Sequence, residues 1–210
     1  MNGRDIVDAL VEAPVVTSFT RIGYVVRSRL DGWRPLQGYD LSGRVIVLTG
    51  ATSGLGKAAA MQFADCGATL VLVGRDADRN DQAVAAIIES SGNPNVTQVA
   101  ADMGDYDQVK DLANGVLAEH DRLDVLIHNA GALTADRRTA PDGTEATVAS
   151  QVVGPFLLTS LLLDRLATTP QSRVLTMSSG GMYSSGLTVS GLQMSEAEYR
   201  GTEQYARAKR

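Results

Sequence analysis

From residue 44 onward, short runs of aliphatic residues alternate with segments in which apolar residues recur at helical spacing. This alternation is typical of a parallel sheet that is wrapped by helices. Because the runs are almost continuously apolar, we expect strands that are buried on both faces. The predicted fold class is α/β, and the five predicted strands span residues 45–48, 70–73, 96–99, 125–127 and 174–177.

The segments between these strands predict amphipathic helices, because their apolar residues lie three and four positions apart. The clearest helix follows the third strand, where Asp105 stands at the expected N-cap position. Its apolar positions are Val109, Leu112, Ala113, Val116 and Leu117. A second run, 146–163, carries no charge, but polar residues and Pro155 interrupt it. We interpret it as a buried helix rather than a membrane span.

Residues 1–38 precede the first strand and predict an amphipathic, basic helical extension. Its apolar positions are Val15, Phe19, Ile22, Val26 and Leu30, and its arginines are Arg21, Arg27, Arg29 and Arg34. We interpret this helix as packed on the domain or on a second subunit. The alternative is a peripheral contact with an anionic membrane surface.

The C-terminal segment, 203–210, is helical in pattern but stops without a cap. This pattern predicts a chain that ends inside a longer domain. We therefore expect two parts, an N-terminal helical extension at 1–40 and a domain at 41–210 that is truncated at its C-terminus.

Charge and cysteine content exclude several classes of protein. The chain carries 24 acidic and 19 basic residues, a net charge of −5. It lacks the positive field that holds a nucleic-acid backbone, so we expect no nucleic-acid partner. A single cysteine, Cys66, excludes an intrachain disulfide and a cysteine-based zinc site, and we expect no metal. The first twenty residues lack a secretory signal pattern, so we expect a cytoplasmic or membrane-peripheral protein.

A glycine-rich turn follows the first strand and precedes a helix-forming segment. Glycines permit positive φ and a close approach of a pyrophosphate, and the helix N-terminus supplies N–H donors. This context predicts a dinucleotide site, whereas a tight turn without a ligand is the alternative. The predicted cofactor contacts in the turn are Thr49, Gly50, Thr52, Ser53, Gly54, Leu55 and Gly56.

Arg75 stands at the end of the second strand, where this type of fold reads the adenosine ribose. An acidic residue there accepts the 2′-OH, whereas an arginine accommodates a 2′-phosphate. Arg75 therefore favours NADP(H) over NAD(H). Asp76 could reverse this preference, but we interpret it as the cap of the next helix.

Four motifs, in their order and spacing, resemble the short-chain dehydrogenase/reductase family over residues 41–210. They are the glycine turn, His128-Asn129-Ala130-Gly131, Ser178-Ser179 and Tyr205-Ala206-Arg207-Ala208-Lys209. Asp142-Gly143 and the segment 153–159 resemble the retinol-dehydrogenase-like branch of this family, and the segment 178–182 resembles its member-twelve-like proteins. The resemblance implies a Rossmann-type, doubly wound parallel sheet of strand order 3-2-1-4-5, with the C-terminal strands missing. It also implies an NAD(P)-dependent oxidoreductase that acts on a carbonyl/alcohol pair and forms a homo-oligomer.

The catalytic residues that the resemblance implies are Ser179, Tyr205 and Lys209. Tyr205 and Lys209 share one helix face, and the positive charge of Lys209 favours the tyrosinate that acid/base catalysis needs. Ser179 would bind the substrate carbonyl. Tyr106 and Lys110 repeat the spacing, but we interpret Tyr106 as a surface residue on the adenine side.

The resemblance also implies cofactor contacts beyond the glycine turn. These are Asp102, Met103, Asn129, Ala130, Gly131, Tyr205 and Lys209. Asp102 would bind the adenine amino group, or alternatively form a helix N-terminal turn. His128 replaces the asparagine that is usual in the family, and we interpret it as structural.

Two departures from the family affect the predicted chemistry. Gln151 falls where the family has a catalytic asparagine that holds a water in the proton relay, and its extra methylene could displace that water. The segment between Ser179 and Tyr205 is long, and we expect an apolar substrate pocket lined by Tyr183, Leu187, Leu192 and Met194. We predict a lipophilic carbonyl or alcohol substrate. The alternative is an NADP(H)-binding sensor or scaffold with weak or no catalysis.

Overall fold

The computed structural model describes residues 6–7 and 20–210, and the chain divides into two units between Tyr39 and Asp40. In the first unit, helix α1 (Arg21–Leu30) precedes a 3₁₀ turn at Leu36–Gly38. The rings of Tyr24 and Trp33 meet edge to face, with centroids 5.6 Å apart. Two positions of the predicted extension, Val15 and Phe19, lie outside the described residues.

The second unit is built on a five-stranded parallel sheet. Its strand order, β3-β2-β1-β4-β5, confirms the predicted topology. In the central strand, Val47 pairs with Val71 on one side and Leu126 on the other. The strands are β1 (Val45–Thr49), β2 (Thr69–Gly74), β3 (Val96–Ala100), β4 (Val125–His128) and β5 (Arg173–Thr176).

Helices connect the strands, and side chains cap two of them as predicted. Asp76 accepts from the N–H of Arg79, and Asp105 accepts from those of Asp107 and Gln108. These carboxylates satisfy donors that a helix leaves unpaired in its first turn. The helices are α2 (Gly54–Asp65), α3 (Ala77–Ser91), α4 (Tyr106–Glu119), α5 (Ala146–Val148), α6 (Gly154–Leu161), α7 (Leu163–Thr168) and α8 (Gly201–Lys209).

Alternating side chains of the central strands feed two hydrophobic cores, one on each face of the sheet. Val45 and Val47 join the core that includes α4, α6 and α7, whereas Ile46 and Leu48 join the core that includes α2 and α3. Each face of β1 is therefore covered. Burial of both faces explains why this strand is apolar at consecutive positions.

The outer strands are not buried on both faces, contrary to the prediction. Every residue of β5 is exposed, including Val174 at 43% and Leu175 at 46%, and β3 is buried only at Val96. Both strands lie at sheet edges, and in the described part of the chain each has one neighbour. The apolar runs thus predicted that β3 and β5 are strands, but they did not predict how much of each strand is buried.

We expected the uncharged run at 146–163 to form one regular helix, but the structure shows an interruption. A π-helical turn at Ala149–Val153 separates α5 from α6. Gly154 follows this turn, and a side chain there would overlap the carbonyl of Met103. In residues 6–7 and 20–210, no helix has both the length and the apolar character that crossing a bilayer requires.

Candidate active site

The carboxyl ends of β1 and β4 are tied together by Thr49. Its hydroxyl donates to the Ile127 carbonyl at 3.3 Å and accepts from the N–H groups of Asn129 (3.1 Å) and Ala130 (3.0 Å). The Asn129 amide donates in turn to the Thr49 and Gly50 carbonyls, both at 3.1 Å. These two polar side chains therefore hold the glycine turn against the end of β4.

The glycine turn has the geometry of a phosphate cradle. Gly50 and Gly54 adopt positive φ, at 68° and 53°, a region that side chains disfavour. A Cβ on Gly56 would overlap the Gly50 carbonyl, whereas open space surrounds Gly54. Ser53 is the N-cap residue of α2, so the first N–H groups of this helix point to the same space. The residues present fit a dinucleotide pyrophosphate.

Arg75 and Asp102 lie together at the ends of β2 and β3. The Arg75 guanidinium is 73% exposed, and its Nη1 lies 3.9 Å from Asp102 Oδ2. Asp102 also accepts from the Gly104 N–H at 2.8 Å, in the turn that precedes α4. Because Asp76 caps α3, its carboxylate is engaged there. This arrangement leaves an arginine available to a 2′-phosphate.

Helix α8 carries Tyr205 and Lys209 on one face. The Lys209 ammonium lies 5.8 Å from the centroid of the Tyr205 ring and donates to the Met177 carbonyl at 2.9 Å. Ser178 anchors the end of the helix, because its hydroxyl donates to the Lys209 carbonyl at 2.9 Å. Burial lowers the pKa of Lys209 from its ordinary value.

Gln151 and Gly131 bring two further elements to Lys209. The π-helical turn directs Gln151 inward, where it is only 7% exposed and donates from Nε2 to the Ala132 carbonyl at 2.9 Å. A Cβ on Gly131 would lie 2.9 Å from Gln151 Oε1 and 3.2 Å from Lys209 Nζ. Three predicted site residues, distant in sequence, therefore meet at one point.

Ser179 lies where the chain leaves β5 and begins a 3₁₀ helix, Gly180–Ser184. Its Oγ accepts from the Gly181 N–H at 3.2 Å, and the side chain is partly exposed. The contacts to α8 come from the preceding residue, Ser178. The Ser178-Ser179 motif is visible in the sequence, but the anchoring role of Ser178 is not.

His128 lies behind the site and agrees with its structural interpretation. It is buried, and its Nε2 lies 2.7 Å from the Thr159 hydroxyl of α6. Burial lowers its pKa from 6.5 to about 4, so the neutral imidazole is the folded form near pH 7.

A buried polar network escaped sequence reasoning. Glu145 is completely buried, and its Oε2 accepts from the Val148 N–H at 3.0 Å. Its backbone N–H donates to Gln193 at 3.1 Å, and the Tyr199 hydroxyl donates to its Oε1 at 3.4 Å. In the sequence, the one indication of this network is that Glu145 directly precedes the long uncharged run.

The predicted apolar substrate pocket is wrong in most of its lining. Tyr183 is 54% and Leu187 is 60% exposed, whereas Met194 is buried. The cavity in this segment, about 400 Å³, is lined mainly by polar groups. Its lining residues are Ser190, Gly191, Gln193, Met194, Ser195, Ala197, Glu198, Arg200 and Arg207.

Tyr106 differs in part from its predicted role as a surface residue. Its side chain is half-buried, and burial raises its pKa. Lys110 pairs with Asp107 at 2.8 Å. In this second tyrosine–lysine spacing, only the lysine therefore lies in an exposed ion pair on the helix surface.

The doubly wound parallel sheet, its glycine turn and the cluster around Lys209 define a Rossmann-type α/β protein. Comparison with known proteins identifies the family. Residues 44–189 match the family described as "short chain dehydrogenase". The chain therefore belongs to the short-chain dehydrogenase/reductase family. It lies in the retinol-dehydrogenase-like branch, as the sequence motifs predicted.

Two curated human relatives and one solved structure illustrate this kinship. Dehydrogenase/reductase SDR family member 12 is 38% identical over 171 residues, which are 81% of this chain and 54% of that relative. Retinol dehydrogenase 11 is 36% identical over 140 residues, 67% of this chain and 44% of that relative. A short chain dehydrogenase from Escherichia coli CFT073, complexed with NADPH, has a TM-score of 0.65 at 26% identity and covers 83% of this chain and 69% of its own. The chain thus spans about half the length of the curated relatives.

Proposed function

We propose that this protein is an NADP(H)-dependent oxidoreductase that interconverts a carbonyl and an alcohol. The observation that carries the proposal is the meeting of Tyr205, Lys209, Gln151 and Gly131 beside the glycine turn. The complex of the Escherichia coli neighbour with NADPH supports the choice of coenzyme, as does Arg75 at the end of β2. Bound NADP(H) would supply or accept the hydride.

The remaining steps belong to side chains of this chain. The Tyr205 hydroxyl gives its proton to the carbonyl oxygen of the substrate, and in the reverse direction the Tyr205 tyrosinate takes the proton of the alcohol. Ser179 donates a hydrogen bond to the same oxygen, which holds the substrate in place for the transfer. Lys209 keeps a positive charge near Tyr205, and Arg75 binds the 2′-phosphate.

The proposed cofactor contacts all follow the carboxyl ends of the parallel strands. We propose that the N–H groups of the glycine turn and α2 bind the pyrophosphate, and that Asp102 and Met103 flank the adenine. Asn129, Ala130 and Gly131 lie beside the nicotinamide ribose in this arrangement. The name of the relative Retinol dehydrogenase 11 supports a lipophilic alcohol such as retinol as the substrate.

A titration of the chain with NADPH and NADH, followed by coenzyme fluorescence, tests the coenzyme assignment. We expect the chain to bind NADPH more tightly than NADH. Arg75→Ala should lower the affinity for NADPH by about tenfold or more and leave the affinity for NADH unchanged. Equal affinity for both coenzymes would contradict the assignment. Absence of binding to either would contradict the proposed function as a whole.

Turnover is tested with retinaldehyde and simpler aldehydes in the presence of NADPH. Tyr205→Phe should retain coenzyme binding and lose activity by about a hundredfold or more, because it removes the proton donor. Tyr106→Phe is the matched control, since Tyr106 is also followed by a lysine four residues on. Coenzyme binding without turnover in the native chain would favour the sensor or scaffold function.

We also propose a peripheral membrane contact through residues 1–38. In the described part of this segment, Ile22, Tyr24 and Trp33 are 62%, 63% and 48% exposed beside Arg21 and Arg29. Exposed apolar and aromatic residues near basic ones, on α1 and directly after it, suit the headgroup region of an anionic bilayer. Vesicles with and without phosphatidylserine test this contact by co-sedimentation, and equal recovery with both would contradict it.

A further inference from the structure

The Gln151 side chain contains a buried polar atom whose bonding is incomplete. Its Nε2 donates to the Ala132 carbonyl at 2.9 Å, which fixes the orientation of the amide. Its Oε1 is enclosed and has no hydrogen-bond partner within the described residues. Burying a carbonyl oxygen without a donor is costly, so such an atom indicates a partner that is not yet in contact.

The surroundings of this atom lead to Lys209. A Cβ on Gly131 would lie 2.9 Å from Gln151 Oε1 and 3.2 Å from Lys209 Nζ, so both atoms border the same point. Because residue 131 is a glycine, no side chain stands between them. The space beside Gly131 therefore separates a buried acceptor, Gln151 Oε1, from a cation, the Lys209 ammonium.

Lys209 has the donors that Gln151 requires. An ammonium carries three N–H bonds, and one of them goes to the Met177 carbonyl at 2.9 Å. The groups that face it are the Tyr205 phenol on its own helix, Gln151 on the π-helical turn and the carbonyl of Met177 after β5. Because both atoms lie so close to the same point, Gln151 Oε1 and Lys209 Nζ are at most about 6 Å apart.

We infer that Gln151 is a positioning residue whose Oε1 accepts a hydrogen bond directly from the Lys209 ammonium and holds it beside Tyr205. This inference rests on the proposed function of the site. The extra methylene of glutamine carries the amide to the lysine without an intervening water. Because the acceptor stabilises the charged amine, it offsets the effect of burial on Lys209.

Direct titration of Lys209 tests the inference without requiring turnover. The chain contains three lysines, Lys57, Lys110 and Lys209, so lysine labelled with ¹³C at Cε gives three signals in an NMR titration. Lysine-to-arginine variants at 57 and 110 assign the signals. Lys57 and Lys110 then serve as internal controls in every sample.

Two substitutions at residue 151 give opposite expectations. Gln151→Met keeps the side-chain length but removes the acceptor, so the midpoint of Lys209 should move to lower pH. Gln151→Glu strengthens the acceptor, so the midpoint should move to higher pH. If Gln151→Met does not fold, Gln151→Asn replaces it, because its amide is one methylene too short and should also lower the midpoint.

An unchanged Lys209 midpoint in a folded Gln151→Met or Gln151→Asn variant would overturn the inference. Where turnover is measured, Gln151→Met should lower kcat by about tenfold, leave KM for the coenzyme within about twofold and displace the pH profile. A native chain that fails to turn over would contradict the proposed function, whereas the titration would still decide the role of Gln151.

Discussion

At the scale of single residues, His128 illustrates what burial does to a titratable group. Its ring is enclosed between β4 and α6, and Thr159 contacts Nε2. Its pKa is about 4 in the folded chain instead of 6.5. The unfolded chain therefore binds a proton more tightly between these two values, and the free energy of unfolding falls as pH drops through this window.

We predict that lowering the pH from 7.5 to 4 decreases the free energy of unfolding by up to about 3 kcal/mol through His128. His128→Asn should remove this pH dependence, as measured by urea unfolding at several pH values. His120→Asn is the control, because it removes the other histidine from a different place. The pKa of Asp124 is lowered to about 2, so that carboxylate stays charged over this range. An equal pH dependence in His128→Asn would contradict the prediction.

The residue scale also shows how far motif reasoning reaches. The spacing of Tyr205 and Lys209 predicted a shared helix face, and the structure shows it. The anchoring of Lys209 by Ser178 and the burial of Glu145 were not predicted. Such roles depend on which atoms meet across distant segments, and local spacing contains no information about that.

At the scale of secondary-structure elements, the glycine turn and α2 pack so closely that a side chain at Gly56 does not fit. A Cβ on Gly56 would overlap the Gly50 carbonyl and lie 2.6 Å from Asn129 Nδ2. The same amide holds Thr49 and Gly50 in place. Enlarging residue 56 therefore disturbs the link between β1 and β4 as well as the cradle.

We predict that Gly56→Ala lowers the free energy of unfolding by about 1–3 kcal/mol and weakens NADPH binding by about tenfold or more. Gly115→Ala is the matched control, because Gly115 lies within α4 and a Cβ there meets nothing within 4 Å. That variant should gain about 0.5–1 kcal/mol through helix propensity. Thermal unfolding and coenzyme fluorescence measure both effects, and a neutral Gly56→Ala would be inconsistent with the tight turn.

At the scale of the whole molecule, the sheet is open at β5. In the described part of the chain, β5 pairs with β4 alone, and Val174 and Leu175 are 43% and 46% exposed. An exposed apolar edge strand presents free backbone groups to another chain. In the 210-residue chain, this edge can therefore pair with a second copy.

We predict that Val174→Lys weakens self-association by about tenfold, because a charge on an edge strand opposes pairing with a second strand. Leu163→Lys is the control, since Leu163 is similarly exposed, at 56%, but lies on α7. Sedimentation velocity over a range of concentrations measures both variants. An equal effect of the two substitutions would indicate general loss of apolar surface instead of strand pairing.

The sequence by itself determined the five strands, the order of elements, the glycine turn and the identity of the family. These features depend on local periodicity and on motifs of fixed spacing, which are legible along the chain. Only the tertiary structure decided how far the side chains of β3 and β5 are exposed, that a π-helical turn directs Gln151 inward, and that Gln151 and Lys209 lie beside Gly131. Burial and contact depend on which segments the fold brings together, and a residue's neighbours in sequence do not specify its neighbours in space.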